Sequence, residues 1–238
     1  MKVFIGQPGA FGDILICAPI AKHYADKGHD VYWPIGTEHL SLVEQFSYVT
    51  PIPLPKVALV AHSDPREVLL ISRIMMGQSL AEDMGAIYLN LGDRPNTPRL
   101  EDETVEEKKY RIAEVPFEEK CRLSWTRNKE KEDSLFDLVA PSGAYIFSHL
   151  DQSDGASYDL EDKDDNVVRC IPREGYNILD WYKVITEASA IYCIESSLQC
   201  FVDGLGDQID DSKKFLLSTK KDFTTTSDTW NRIYDGRN

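Results

Sequence analysis

The stretch Val3-Phe-Ile-Gly6-Gln-Pro-Gly9-Ala-Phe-Gly12-Asp13-Ile-Leu-Ile-Cys-Ala-Pro19 decides how the rest of the chain is read. Val3, Phe4 and Ile5 form a short apolar run that ends in a glycine-rich turn. From Asp13 to about Lys27 apolar residues then recur at helical spacing. The pattern predicts a β-turn-α unit, with Ile14, Ile16, Ala18, Ile20, Ala21, Tyr24 and Ala25 toward the core and Gly28 as the C-terminal stop. Pro19, inside that pattern, predicts a kink or irregular first turns.

Outward from this unit, Val31 to Trp33 and Ala86 to Leu91 read as further strands, with helical stretches at 38–46 and 65–76 between them. Short apolar runs recur at Ala144 to Phe147, Val167 to Ile171, Ile191 to Ile194 and Phe215 to Leu217. Strands alternating with helices imply parallel sheets, and the recurrence implies a second α/β unit. Glu101 to Lys109 reads as a charged amphipathic helix and Pro116 to Lys131 as a connection. The expected domains are therefore 1–120 and 121–238. The closing stretch, Lys220 to Asn238, is expected to pack back as a short helix on Trp230 and Tyr234.

Composition narrows the partners. The 238 residues carry 40 acidic and 26 basic side chains, a formal charge of -14. Binding to a phosphate backbone needs clustered Lys and Arg, so nucleic acid is not expected as a partner. The densest acidic patch, Asp159, Glu161, Asp162, Asp164 and Asp165, reads as a solvated loop. Five widely spaced cysteines, mostly among apolar neighbours, suit reduced core thiols. The chain turns to Gly and Pro by residue 8, too soon for a signal peptide, and no apolar run approaches the roughly 20 residues needed to span a bilayer. The expected compartment is the cytoplasm.

A glycine-rich turn at a helix N-terminus favours anions. A Walker loop needs Lys and Ser or Thr after its last glycine, whereas Asp13 and Ile14 follow Gly12. The dinucleotide fingerprint fails too, because Gln7 stands where its first glycine belongs. Asp13 is the unusual residue. Its plainest role is electrostatic capping, worth about 0.3 to 1 kcal/mol.

The run Gly9-Ala-Phe-Gly12-Asp13-Ile-Leu-Ile-Cys-Ala-Pro19 resembles the N-terminal motif of the ADP-heptose:lipopolysaccharide heptosyltransferases and related GT-B glycosyltransferases. The resemblance covers about a dozen residues. It implies an α/β fold of two Rossmann-like halves whose parallel sheets face a cleft, with Gly9 and Gly12 on the acceptor side. It also implies that Asp13 is the general base, which is chemically sensible because a sugar hydroxyl is a poor nucleophile.

A second candidate site lies in Asp180 to Gly206, which reads as helix, strand, tight turn, helix. Its order resembles the C-terminal unit of the same families, where a helix N-terminus holds the donor diphosphate. That resemblance offers Ser196 and Ser197 to phosphate and Glu195 to ribose or sugar hydroxyls. The plain alternative is that Ser196 caps the helix and Glu195 ends the strand. The family usually has a small residue and a glycine near these serines; this chain does not, so donor identity is not carried over. Ser148, His149 and Asp151, and Arg169 to Arg173, sit where strands should end, with Arg173 a candidate phosphate contact.

Asp162-Lys-Asp164 matches the letters of a metal-binding Asp-x-Asp but lacks a preceding strand, and the five histidines form no close pair. No Gly-x-Ser-x-Gly frame surrounds Ser196-Ser197. No metal or cofactor is expected. The reading is a metal-independent, inverting glycosyltransferase with a nucleotide-sugar donor and a glycan or small-molecule acceptor. A sugar-nucleotide epimerase of the same fold and an inactive binding protein are the alternatives.

Overall fold

The computed structural model describes residues 1–55, 65–92, 100–101, 103–151, 160, 166–218 and 229–234; the acidic patch other than Leu160, Asp162-Lys-Asp164 included, lies outside them. The chain divides into two compact units, Met1–Thr126 and Arg127–Asn238. The segment after residue 116 stays with the first unit through local ties. The 3-10 turn Phe117–Cys121 packs on the first helix, the Tyr48 hydroxyl donates to the Ser124 carbonyl at 2.9 Å, and the Thr126 amide donates to Gln45 at 2.7 Å.

In the first unit, β1 (Lys2–Ile5), β2 (Asp30–Gly36), β3 (Thr50–Leu54) and β4 (Ile87–Leu89) form one parallel sheet in the order β3-β2-β1-β4. Val3, Phe4 and Ile5 are wholly buried because β1 lies inside the sheet. Helix α1 (Phe11–Asp26) starts two residues earlier than its apolar pattern and runs through the buried Pro19. It ends as expected at Gly28. That residue adopts φ 81, its amide donates to Ala25, and the His29 amide donates back to Tyr24, a paired closure that favours glycine at the left-handed position. The expected helix over 38–46 is a 3-10 turn, Thr37–His39, followed by the short α2 (Leu40–Val43). The longer α3 (Pro65–Asp83) packs on β1, β2 and β4.

β3 was not anticipated. Its sequence, Thr-Pro-Ile-Pro-Leu, has two prolines that cannot donate to a ladder, and it is accommodated as an edge strand. Helix α4 (Val105–Ile112) begins at a capping box: Thr104 accepts from the Glu107 amide while the Glu107 carboxylate accepts from the Thr104 amide. This box sets the register that buries Glu106, Lys109 and Tyr110.

The second unit starts with α5 (Lys129–Val139). Its parallel sheet holds β5 (Ile146–His149), β6 (Val167–Arg169), β7 (Ala190–Ile194), β8 (Lys214–Ser218) and β9 (Asn231–Tyr234) in the order β6-β5-β7-β8-β9. Helix α6 (Tyr182–Thr186) precedes β7, and α7 (Ser197–Gly204) follows it. Leu150, Tyr192, Ile194 and Leu217 form an apolar cluster on one side, with Tyr192 stacked on Phe215 at 4.7 Å. The expected C-terminal helix is instead β9, within the described part of that stretch. Trp230 is the anchor: it is buried, its indole N–H donates to Asp203 at 2.6 Å, and the following residues pair with the open edge of β8.

None of the five cysteines forms a disulfide; Cys17 and Cys193 are buried core thiols, whereas Cys121 is exposed. No helix among the described residues is long and apolar enough to cross a membrane.

Candidate functional site

In an open parallel sheet, ligands bind beyond the carboxyl ends of the strands where the chain reverses its direction of build. The first sheet grows from β1 to β2 and β3 on one side, then continues with β4 on the other. Its switch point is therefore between β1 and β4, and the turn Gly6 to Ala10 follows β1 there. The second sheet adds β6 on one side of β5 and β7 on the other. Its switch point lies between the ends of β5 and β7, at His149 and Glu195. Both sequence candidates fall on switch points.

The first turn is tightly braced. The Gly6 amide donates to Leu89 at 2.7 Å, the Leu91 amide to Gly6 at 3.1 Å and the Gly36 amide to Pro8 at 3.0 Å. Trp33 donates its indole N–H to the Gln7 carbonyl, and the Gln7 side-chain amide donates to Gly9, each at 2.7 Å. Gln7, standing in the place of a dinucleotide-binding glycine, is thus a buried strut. Ala10, at φ 67, precedes α1 and offers no side-chain cap, so the first amides of that helix have no side-chain acceptor from it. Gly12 and Asp13 lie in the first turn.

Asp13 does more than face a dipole. Its Oδ1 lies 3.2 Å from Lys109 Nζ, in α4, and its side chain is 35% exposed. The same ammonium donates to Gln7 Oε1 at 2.9 Å and to the Leu91 carbonyl at 2.6 Å. Lys109 is buried, and these three acceptors match its three donors. One carboxylate oxygen is thereby positioned while the side chain stays open to solvent. The sequence reading missed Lys109. The available signal was the Thr104-x-x-Glu107 box, which fixes the helix start and so places a lysine in the buried stripe with Tyr110.

Beside this turn, Arg73 of α3 donates to Glu38 Oε1 and Oε2 at 2.6 and 2.9 Å. Gly36 makes room for it, since a Cβ there would come within 2.3 Å of the guanidinium. The bidentate contact holds the Glu38 carboxyl at about 2, below its ordinary 4.5, against burial acting the other way. The pair therefore adds stability above 4.5 that is lost as pH falls toward 2. Urea midpoints measured across this range should fall more steeply for the wild type than for Glu38→Gln. Parallel curves would remove the pair from the acid response.

In the second unit, Ser196 caps α7: its Oγ accepts from the Gln199 amide at 3.4 Å. The same Oγ lies 3.1 Å from His149 Nδ1, joining the two strand ends that border the switch point. Burial lowers the His149 pKa from 6.5, and the Asp151 charge acts against that. Ser197 is the first residue of α7, and Glu195, half-buried, closes β7. Arg173 follows β6, on the far side of β5. It is half-buried, its Nε is buried without a hydrogen-bond partner, and it lies near Cys170, whose thiol burial pushes up to about 12. Among the described residues no hydrogen bond or ion pair joins Arg173 to Ser196 or Ser197. No group of three His, Cys, Asp or Glu side chains converges as a metal site among the described residues.

The two all-parallel α/β units are similar in fold to solved glycosyltransferase structures. Two solved structures carry the likeness. One is a glycosyl transferase family 9 protein from Veillonella parvula, at TM-score 0.57 and 9% identity over 98% of this chain and 85% of that one. The other is heptosyltransferase WaaC of E. coli with ADP-2-deoxy-2-fluoro heptose, at TM-score 0.55 and 10% identity over 98% and 93%. No protein-family model and no curated protein matches the chain.

Proposed function

We propose that this chain moves a sugar from a nucleotide-sugar donor to an acceptor hydroxyl, without a metal and with inversion at the anomeric carbon. The observation that carries this reading is Asp13, a part-exposed carboxylate at the switch point of the first unit, held through one oxygen by the buried Lys109. Asp13 takes the acceptor proton as the acceptor oxygen bonds to the anomeric carbon and the bond to the donor diphosphate breaks. A single displacement of this kind inverts the carbon.

The donor side is assigned to the second unit, with the diphosphate at the N-terminus of α7. There Ser196, Ser197 and the helix dipole favour negative charge, Glu195 takes sugar or ribose hydroxyls, and Arg173 is a further phosphate contact. WaaC, of like fold, has been solved with an ADP sugar, which supports a nucleotide-sugar donor as the class. Gly9 and Gly12 keep the acceptor-side backbone slim.

A thermal-shift and denaturation screen with ADP-, UDP-, GDP-, CMP- and dTDP-sugars tests the donor class. A true donor at about 100 times its dissociation constant adds roughly 2.7 kcal/mol of stability. Silence from every nucleotide sugar defeats the reading. Conversion of the stabilising sugar nucleotide with no acceptor present would point to an epimerase instead.

A further inference from the structure

Phe11, the residue that opens α1, is 45% exposed although it is a large aromatic beside the turn that leads to Asp13. Its ring meets His39 edge-on, with centroids 4.8 Å apart. His39 Nε2 is 4.0 Å from Glu38 Oε1, and the His39 ring would lie 3.5 Å from a Cβ at Gly9. Phe11, Glu38 and His39 are therefore gathered around the same turn that carries Asp13.

The chemistry of this cluster is specific. Glu38 has a side chain 35% exposed, and each oxygen gives one acceptor position to Arg73. A carboxylate has about four such positions; with Arg73 on both oxygens and the Glu38 backbone amide also bonded to the carboxylate, about one remains for an outside donor. Its direction is fixed because the guanidinium is planar and Arg73 is only 3% exposed. One hydroxyl of a sugar ring can donate to the position left open in this way. An exposed aromatic face suits the polarised C–H groups of the same ring. Two buried donor or acceptor atoms also stand without partners at this spot, Arg73 Nε and His39 Nδ1. Unsatisfied groups of this kind are uncommon in folded proteins and call for an explanation, such as a ligand or ion that completes them.

Charge selects the sugar. Both cations beside the turn, Arg73 and Lys109, are buried and held by Glu38 and Asp13 respectively. His39 is pushed down by burial and is neutral at neutral pH. Among the described residues, the cluster presents two carboxylates outward and no exposed cation.

We infer that Phe11, Glu38 and His39 form a saccharide subsite beside the turn that leads to Asp13, one that accepts a neutral, hydroxyl-bearing sugar ring and disfavours an anionic one. The inference rests on the acceptor-side reading given above, and its test is separable from that reading. Saturation-transfer-difference NMR on the whole chain, with methyl glucoside, methyl galactoside, methyl mannoside and glucuronate as probes, reads binding without any turnover. At least one neutral glycoside binds, glucuronate binds more weakly, and Phe11→Ala weakens the glycoside about tenfold. Glu38→Gln, which keeps the shape but removes the charge, weakens it as well, with folding of both variants verified by circular dichroism.

The subsite is wrong if glucuronate binds as well as the best glycoside, if no glycoside binds, or if folded Phe11→Ala binds unchanged. Nucleotide-sugar stabilisation is measured on the same samples. Stabilisation without Phe11-dependent saccharide binding sinks the subsite and leaves the transferase reading standing. Phe11-dependent saccharide binding without nucleotide-sugar stabilisation does the reverse.

Discussion

Asp13→Asn is expected to lower the turnover number of the proposed sugar transfer by about a hundredfold to ten-thousandfold, while stabilisation by the proposed donor persists. Asparagine keeps the size and the hydrogen-bonding oxygen that faces Lys109 but cannot accept a proton from an acceptor hydroxyl. The side chain is part-exposed, so the substitution leaves the packed sheet alone. Had Asp13 served only to face the dipole of α1, the loss would be confined to stability, about 0.3 to 1 kcal/mol, with turnover intact. Steady-state kinetics with the donor found by the thermal screen, alongside urea denaturation of both proteins, separates the two roles. Wild-type turnover in the variant removes Asp13 as the base.

Lys109→Met is expected to be the most destabilising single change near the site, at about 3 kcal/mol. The ammonium is buried and bonded to Gln7 Oε1, to the Leu91 carbonyl and to Asp13. Methionine fills much of the volume but returns no donor. The Leu91 carbonyl and the Gln7 side chain are then left buried without their partner, each at about 1 to 3 kcal/mol, whereas part-exposed Asp13 regains water. The proposed transfer is expected to fall with stability, because the Lys109 contact that sets Asp13 is lost with it. Lys22→Met is the control. Lys22 pairs with Asp26 one turn along the surface of α1, a contact worth about 0.5 kcal/mol. Equal urea midpoints for the two variants would show that the Lys109 network contributes little.

The same contrast explains how far the candidate site could be read in advance. Gly12, Asp13, Ser196 and Ser197 were legible because each belongs to a strand-turn-helix boundary, and such boundaries are written in adjacent residues. Lys109 was not. Its bond to Gln7 spans 102 positions and that of Ser196 to His149 spans 47. Distances of that kind depend on which strands neighbour which. Arg173 shows what a strand end alone leaves open. It follows β6, which lies beyond β5 from β7, and among the described residues no hydrogen bond links it to Ser196 or Ser197, so its place as a phosphate contact stays a proposal.

By itself the sequence determined the α/β class, the parallel strands, the close of α1 at Gly28 and the turn that presents Asp13. Hydrophobic period and glycine placement act over a few residues, and nothing distant needs to be known to read them. Only the tertiary structure decided the rest. It made Thr-Pro-Ile-Pro-Leu an edge strand, because an edge tolerates missing donors. It turned the expected C-terminal helix into β9, because Trp230 anchors that segment at Asp203 beside the open edge of β8. It also set both motifs at switch points and placed Lys109 beneath Asp13, since strand order and helix register are settled by the burial of the whole sheet rather than by any local stretch.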